Sequence, residues 1–596
     1  MLENRASEAL RNEGLRDFTT DCRMLVLSAM ALFVGSAGAG AAWCLVKLIA
    51  LFTNLAYLQR IDFRTVHLGS LHLTPLSIAI PILGSLVVGA MARFGSEKIR
   101  GHGIPEAIEA ILIGESRIEP KVALLKPISS ALSIGTGGPF GAEGPIIMTG
   151  GALGSLFAQL FRLTPAERKT LLVAGAAAGM TAIFGTPLAA VLLAVELLLF
   201  EWKPRSFIPV GISVLVATLW RPCLLGPGPL FSMNDLPVMP SWGLGLCAGM
   251  GLVAGAQSAL TTLCLYGVED LFRKLPIHWM WWPALGGIVV GVGGYIDPAA
   301  LGVGYDSIRA LLDGHVTLQE SGLLLADKAM IWIAALSSGT SGGVLAPLLI
   351  MGGALGNIEA HWLPFGTPGF WSLLAMAAIL AGTMRAPLTG TLFAAELTGN
   401  FHLLPQLFAA SVAAFAVTVL LMRRSILTER IARRGHHITR EYSTDPFLHT
   451  RVADIMARPV DTLPSSMQIA EVLDFFADGG HRHKSYPVVT EAGELSGIVS
   501  RADVLRWSRD GWEKNATLAD FKTTRKLLLG YSDELVGHLA DRMAGDDIGR
   551  VPILDRTGGR LVGLVARRDL LRVRARLALE ERDRRRLLNL TLSRKS

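Results

Sequence analysis

Five cysteines in 596 residues are too few for a disulfide framework, and they lie scattered at Cys22, Cys44, Cys223, Cys247 and Cys264. No CxxC spacing joins any two of them, so neither a zinc ribbon nor a dithiol centre is encoded. Each is expected to be a small buried hydrophobe. Charge is scarce as well: Asp, Glu, Lys and Arg make up 18% of the chain, against about a quarter in an ordinary soluble domain. Paired catalytic acids and the HExxH spacing of zinc hydrolases are also missing, which argues against an enzyme. Residues 1–23 are polar and mixed in charge, unlike the apolar core of a cleavable secretory signal.

What is present is apolar and glycine-rich. The hydrophobic fraction is 51%, mean hydropathy is +0.44, and there are 64 glycines. Long apolar runs recur at Met24–Tyr57, Pro75–Met91, Thr181–Phe200, Leu244–Leu265, Pro283–Tyr295 and Leu403–Met422. A bilayer crossing takes roughly 20 such residues, so 24–435 reads as a transmembrane domain. Runs broken by Gly and Pro fit transporters whose half-helices meet at mid-membrane, and the glycines suit close helix approach in lipid. The net charge of +7 gathers at Arg423-Arg424, Arg430–Arg434 and Arg572–Lys595. Basic residues just past the last apolar run point to a cytoplasmic C-terminal part. No aromatics interleave them, so a nucleic-acid surface is not supported.

An internal repeat organises the membrane part. Gly141-Ala-Glu-Gly-Pro-Ile-Ile-Met-Thr-Gly-Gly-Ala-Leu-Gly154 lines up with Gly343-Val-Leu-Ala-Pro-Leu-Leu-Ile-Met-Gly-Gly-Ala-Leu-Gly356 at an offset of 202. Thr186-Pro-Leu-Ala-Ala with Glu196 lines up with Ala386-Pro-Leu-Thr-Gly with Glu396 at an offset of 200. Two related halves follow, about 24–222 and 240–424, with a site expected at their interface. Glu196 and Glu396 occur in both halves and read as structural, capping or bonding nearby backbone. Glu143 occurs once; its counterpart is Leu345.

An ionisable residue inside apolar sequence marks a functional site by default. Gly144-Pro145 reads as a helix start, because proline suits the first turn. The amides before and at Glu143 would then gather an anion, either the Glu143 carboxylate itself or a small ion that displaces it. The plainer reading is that Glu143 pairs with a buried cation or caps a helix. Gly101-His-Gly-Ile-Pro105 has the same build before an expected helix Glu106–Ile113, with His102 as a donor or as a hydrogen-bonded turn residue.

Taken together, Gly101-His-Gly-Ile-Pro-Glu-Ala107, Gly141-Ala-Glu-Gly-Pro145 and Gly342-Gly-Val-Leu-Ala-Pro347 resemble, in order and spacing, the three anion-site loops of the CLC chloride channel and transporter family. Gly302-Val-Gly-Tyr-Asp-Ser-Ile308 resembles a further segment of that family. The resemblance implies an all-α fold of two inverted-topology halves, forming a homodimer in the bilayer with a pore in each subunit. It implies chloride or another small anion as the transported ligand. It makes Glu143 the gating glutamate. Gly101, His102, Gly103, Ala142, Glu143, Val344 and Leu345 become the anion-binding positions, and Leu427 lines the pore. Three departures stand out: His102 replaces the family serine, Leu427 the pore tyrosine, and Leu197 the inner glutamate of proton-coupled members. Glu201 lies a few residues beyond that last position and could substitute for it, but is not aligned with it. The residues leave exchange and passive conduction both open.

The soluble part has its own repeat. Val452-Ala-Asp-Ile-Met456 opens a unit running through Ser485-Tyr-Pro-Val-Val489 to Leu505; a second runs through Arg550-Val-Pro-Ile-Leu554 to Leu571. Each shows β-rich runs and then a helix opened near an Asp. They resemble a tandem pair of CBS domains, an α/β module. That resemblance implies adenine-nucleotide contacts (ATP, ADP or AMP) at Ser500, Asp503 and Asp569, or a dimerisation role alone. No metal or further cofactor is implied. The expected organisation is a cytoplasmic segment at 1–23, the membrane domain at 24–435, a linker at 436–450, CBS units at 451–510 and 511–575, and a basic tail at 576–596. A bacterial plasma membrane is the expected location. A CBS-regulated divalent-cation channel is the distant alternative, disfavoured because the loops offer amides and one acid rather than an oxygen cage.

Overall fold

The computed structural model describes residues 23–71, 73–233, 240, 242–436, 447, 450–478, 483–510, 516–520, 527–556 and 559–575. The readings for the N-terminal segment, Cys22, most of the linker and the basic tail lie outside the described residues. The chain divides into two compact units, one within Asp17–Arg440 and one within Glu441–Ser596.

The first unit is helical. Arg23–Leu58, Pro75–Phe94, Pro204–Leu224, Gly243–Arg273 and Phe401–Arg433 are long and apolar enough to cross a membrane. Their outer faces carry exposed Phe33, Leu219, Leu263 and Leu420. An apolar exterior of this kind suits lipid rather than water. Three of the four described cysteines, Cys44, Cys223 and Cys264, sit on exposed faces, and only Cys247 is buried as expected. The Thr181–Phe200 run is not one span. Pro165–Phe184 ends on Gly185 in the left-handed region (φ +68°), and Pro187 opens a new helix. Thr186, held before a proline, cannot continue a helix, so the chain turns there.

The two halves match helix for helix. Glu143–Gln159 corresponds to Leu345–Ala360, Pro165–Phe184 to Pro368–Met384, and Pro187–Leu193 with its continuation to Pro387–Thr398. Matched residues also bond one another. The Gly141 amide donates to the Gly343 carbonyl at 3.3 Å, and the Gly343 amide to the Gly141 carbonyl at 2.9 Å. Two equivalent residues exchanging both bonds lie about a local two-fold axis, so the halves are related by rotation through this point.

Glu196 and Glu396 obey the same axis. Glu396 accepts from the amides of Leu188 and Ala189 at 2.9 and 2.8 Å; Glu196 accepts from the amide and hydroxyl of Thr389 at 2.9 and 2.5 Å. Each carboxylate caps the first turn of the helix in the other half, where a helix end leaves amides unbonded and favours negative charge.

A third matched block escaped the sequence comparison. Gly101-His102-Gly103 corresponds to Gly302-Val303-Gly304 at an offset of 201, and all four glycines have positive φ between +62° and +87°. Behind each turn lies a wholly buried lysine. Lys126 donates to the carbonyls of Ile99 and Gly101 at 2.8 and 2.6 Å. Lys328 donates to Ala300 and Gly302 at 2.7 and 3.1 Å. A buried ammonium is tolerated only when bonded, and each one pins its turn.

The second unit holds two three-stranded sheets of one topology. Leu463–Pro464 pairs parallel with Ser485–Val489, which pairs antiparallel with Leu495–Ser500; Gly530–Tyr531, Arg550–Leu554 and Leu561–Ala566 repeat the order. Chain order and packing differ here. Val452, which opens the first unit in sequence, is buried with Val536, Val551 and Val565 of the second; Leu518, near the start of the second, is buried with Val488, Val499 and Trp507 of the first. Each lead segment completes the other unit's core, so neither sheet is covered without the other half of the module.

The crossed capping predicts matched losses. Glu396→Ala leaves one buried and one part-buried amide unbonded and should cost about 1–3 kcal/mol. Glu196→Ala should lower the thermal midpoint of the detergent-solubilised protein by a similar amount. A loss from only one of the two would contradict the reciprocal role.

Candidate functional site

Three loops meet where the halves touch, and glycine is what lets them. A Cβ on Gly144 would lie 1.9 Å from the His102 carbonyl oxygen and 3.2 Å from the Gly343 Cα; one on Gly103 would lie 2.8 Å from the Gly144 oxygen. The Gly101 amide donates to Thr340 at 3.2 Å, and Gly342 to Gly101 at 3.4 Å. Gly101–Gly103, Gly141–Gly144 and Ser341–Leu345 are thus bonded or in backbone contact with one another.

All three loops run directly into helix N-termini. Glu143–Gln159 starts at Glu143 itself, with Ala142 as its cap and Pro145 third in the first turn; the start is two residues earlier than the Gly-Pro pair suggested. Leu345–Ala360 starts at the matched position after Val344. The first loop leads into Ile104–Leu112, where Pro105 is second, again earlier than expected. First-turn amides have no partner within their own helix and carry partial positive charge.

The Glu143 side chain occupies the gap. It is 0% exposed, and it folds back so that a Cβ on Gly141 would lie 1.8 Å from Oε2 and one on Gly343 would lie 2.7 Å away. The amides of Glu143 and Ala346 face the carboxylate, but neither oxygen has a hydrogen bond of good geometry. Lys328 and Tyr305 stand within electrostatic reach. A negative group is therefore held by the field of two helix ends rather than by fixed partners.

The remaining positions are all buried. Ala142, Val344 and Leu345 are at most 2% exposed, and His102 is 1% exposed with its Nδ1 unbonded. Leu427 is wholly buried in the first turn of Ile426–Arg433. That helix docks on Ile104–Leu112 through Arg430 to Glu106 at 3.3 Å, Arg434 to Glu106 at 2.9 Å, and an Arg430 donation to the Arg100 carbonyl. The Arg430 guanidinium lies directly against Gly101. This places positive charge beside the first loop, a feature the sequence reading missed along with Lys126, Lys328 and Tyr305.

Leu197, at the position read as the inner glutamate, is wholly buried. Glu201 is paired with Lys169 at 3.2 Å and Lys203 at 3.4 Å and accepts from Ser206 at 2.8 Å. Gly339-Thr-Ser-Gly-Gly343 does fit a GxSxG nucleophile spacing, but the Ser341 hydroxyl bonds Ser130 at 2.8 Å and Ser129 at 3.2 Å. Among the described residues no histidine bonds it.

In the soluble module Asp503 accepts from the Ser500 amide at 3.0 Å and its hydroxyl at 2.5 Å, and Asp569 accepts from the Ala566 amide at 2.9 Å. Each aspartate caps the helix that follows its sheet, and these caps use the atoms read as nucleotide contacts.

The model of the voltage gated chloride channel family matches residues 83–419, and that of the CBS domain matches 452–510 and 520–576. This chain belongs to the voltage gated chloride channel family. It is a membrane protein of a transporter and channel family, not of an enzyme family. The voltage-gated ClC-type chloride channel ClcB of Escherichia coli O81 is 30% identical over 425 residues, which cover 69% of this chain and 99% of that protein. ClcB of Citrobacter koseri is 31% identical over 363 residues, covering 59% and 86%. Among solved structures, a slow cyanobacterial Cl-/H+ antiporter matches 70% of this chain and 98% of its own, with a TM-score of 0.60 and 23% identity. A eukaryotic CLC transporter covers 92% and 98%, with a TM-score of 0.54 and 20% identity. These two likenesses establish the CLC fold.

The loop contacts carry a direct test. Gly144→Ala forces a methyl group into the His102 carbonyl and should cost about 1–3 kcal/mol by overpacking. Gly211→Ala, whose Cβ meets nothing within 4 Å, should melt with the parent protein. Equal thermal midpoints for the two variants would refute the close loop packing.

Proposed function

We propose that this protein carries chloride, or an anion of similar size, across a membrane as a homodimer with one pathway per subunit, and that the Glu143 carboxylate is the movable plug. The observation that supports this most is the unbonded, fully buried carboxylate between the N-termini of Glu143–Gln159 and Leu345–Ala360. Helix ends of this kind stabilise any small anion. A carboxylate without fixed hydrogen bonds can yield its place to one. The loops offer amide N–H groups and a single acid, the reverse of the oxygen cage that a divalent cation requires. Bacterial relatives and the arginines after the last span support a bacterial plasma membrane with the C-terminal module in the cytoplasm.

Uncoupled flux is the better-supported mode. Proton exchange needs an inner proton route; the position read as the inner glutamate is Leu197 and Glu201 is tied to two lysines, so that route would have to run through water or another acid. Adenine nucleotide is the ligand proposed for Ser500, Asp503 and Asp569; it would have to share or displace the helix caps already formed there.

Reconstitution into liposomes with a chloride gradient and an internal pH probe tests the mode. Chloride should move without protons; proton movement driven by chloride would overturn uncoupled flux while leaving anion transport in place. Protonation neutralises the plug, so wild-type flux should rise as pH falls. Glu143→Gln should carry anions at a rate independent of pH. A Glu143→Gln protein that kept the wild-type pH profile would remove Glu143 from the gate.

His102 is proposed as the side-chain donor that compensates for Leu427, which has no hydroxyl. Deleting one neutral hydrogen bond shifts affinity by roughly threefold to tenfold. His102→Ala should therefore weaken anion affinity by that factor and change the chloride-to-nitrate ratio. Unchanged values would rule the histidine out as a ligand.

A further inference from the structure

The turn Gly302-Val303-Gly304 has no part in the site described above, yet it repeats the main features of the first loop. Both turns carry two glycines of positive φ, both are pinned from behind by a buried lysine, and both lead into a helix, Ile104–Leu112 or Tyr305–Leu312. The local two-fold axis puts them on opposite sides of Glu143. The second turn lines a cavity of about 660 Å³, whose wall also includes Ala142, the residue before Glu143.

The chemistry of that wall favours an anion. Among the described residues the amides of Val303 and Gly304 donate to no protein group. The Tyr305 hydroxyl is wholly buried and has no partner among them. Its ring is held edge-on by Phe184 and Phe231, with centroids 6.4 and 5.9 Å away, so the phenol cannot swing out to water. The Lys328 ammonium lies immediately behind Gly304. Arg309 also lines the cavity. The one carboxylate on the wall, Asp306, is bonded to His67. Buried donors without acceptors cost free energy unless a ligand or water completes them.

We propose that the Val303 and Gly304 amides and the Tyr305 hydroxyl form a separate receiving site for a halide-sized monovalent anion, on the cavity side of Glu143. The first turn carries its polar side chain at His102 and the second carries it two places later in the matched register, at Tyr305. The anion would rest against the phenol before it displaces the Glu143 carboxylate. This inference rests on the anion-transport reading.

The test uses the full chain in liposomes and, separately, crystals soaked in bromide. Tyr305→Phe keeps the ring and removes only the hydroxyl. It should raise the half-saturating chloride concentration roughly threefold to tenfold, the loss of one hydrogen bond. Anomalous scattering from bromide should mark the Tyr305 hydroxyl in the wild type and should be lost there in Tyr305→Phe, while bromide at the Val344–Leu345 loop persists. An unchanged half-saturation in a Tyr305→Phe protein of wild-type thermal midpoint would overturn this site and leave the transport reading intact. Bromide absent from the turn in wild-type crystals would overturn it independently of how the variant folds. A wild type that moves no anion would instead overturn the transport reading.

Discussion

Backbone amides that cannot be satisfied by their own helices are the constraint on which the membrane unit depends. Glu143–Gln159 and Leu345–Ala360 both begin deep inside the protein, and their first turns point at one small volume. In an apolar interior such ends demand negative charge. Glu143 supplies it, without fixed bonds. Everything nearby serves to bring the ends together. Gly141, Gly144 and Gly343 remove the side chains that would hold the loops apart, and Lys126 and Lys328 hold the flanking turns from behind.

The two-fold arrangement explains why the unit is rigid where it must be. Gly141 and Gly343 exchange main-chain bonds, and Glu196 and Glu396 each cap a helix of the opposite half. Rotation of one half against the other would break all of these bonds together. Motion is therefore cheapest in a side chain, and the Glu143 side chain is the charged group at the centre with no hydrogen bond to break. A gate made from one rotamer change fits a scaffold that resists larger movement.

Much of this was legible in the sequence, for reasons that can be named. Gly141–Gly154 and Gly343–Gly356 share side chains as well as backbone, so their repeat shows in the letters. Gly302–Gly304 repeats Gly101–Gly103 in φ angles and in the lysine behind it, but Val303 replaces His102 and Tyr305 replaces Ile104. Only the glycine spacing survives, too little to detect without coordinates. Helix starts were misplaced by up to two residues, because proline is tolerated throughout the first turn and marks the turn rather than its first residue. The exposed cysteines were missed because small apolar residues face lipid as readily as they face a core. The crossed cores of the soluble module were hidden because Val452 and Leu518 lie beside their own units in sequence and reveal their packing only in space.

Symmetry broken by single side chains is what turns this scaffold into a pathway with a direction. The backbone offers equivalent ends on both sides of the axis, and an anion passing between equivalent ends would meet equal wells. Glu143 opposite Leu345 puts an acid on one of the two helix ends and none on the other, and its carboxylate fills the gap between them. His102 opposite Val303 puts an imidazole on one side; Tyr305 opposite Ile104 puts a phenol on the other. The Arg430 guanidinium stands against Gly101, whereas the cavity beside Gly302 has an acid already bound to His67. Each of these differences changes which side chains stand beside the matched turns and helix ends. On the proposed anion-transport reading, entry and exit are set by side chains on a symmetric frame, so selectivity and gating would be altered residue by residue while the shared helix ends stay in place.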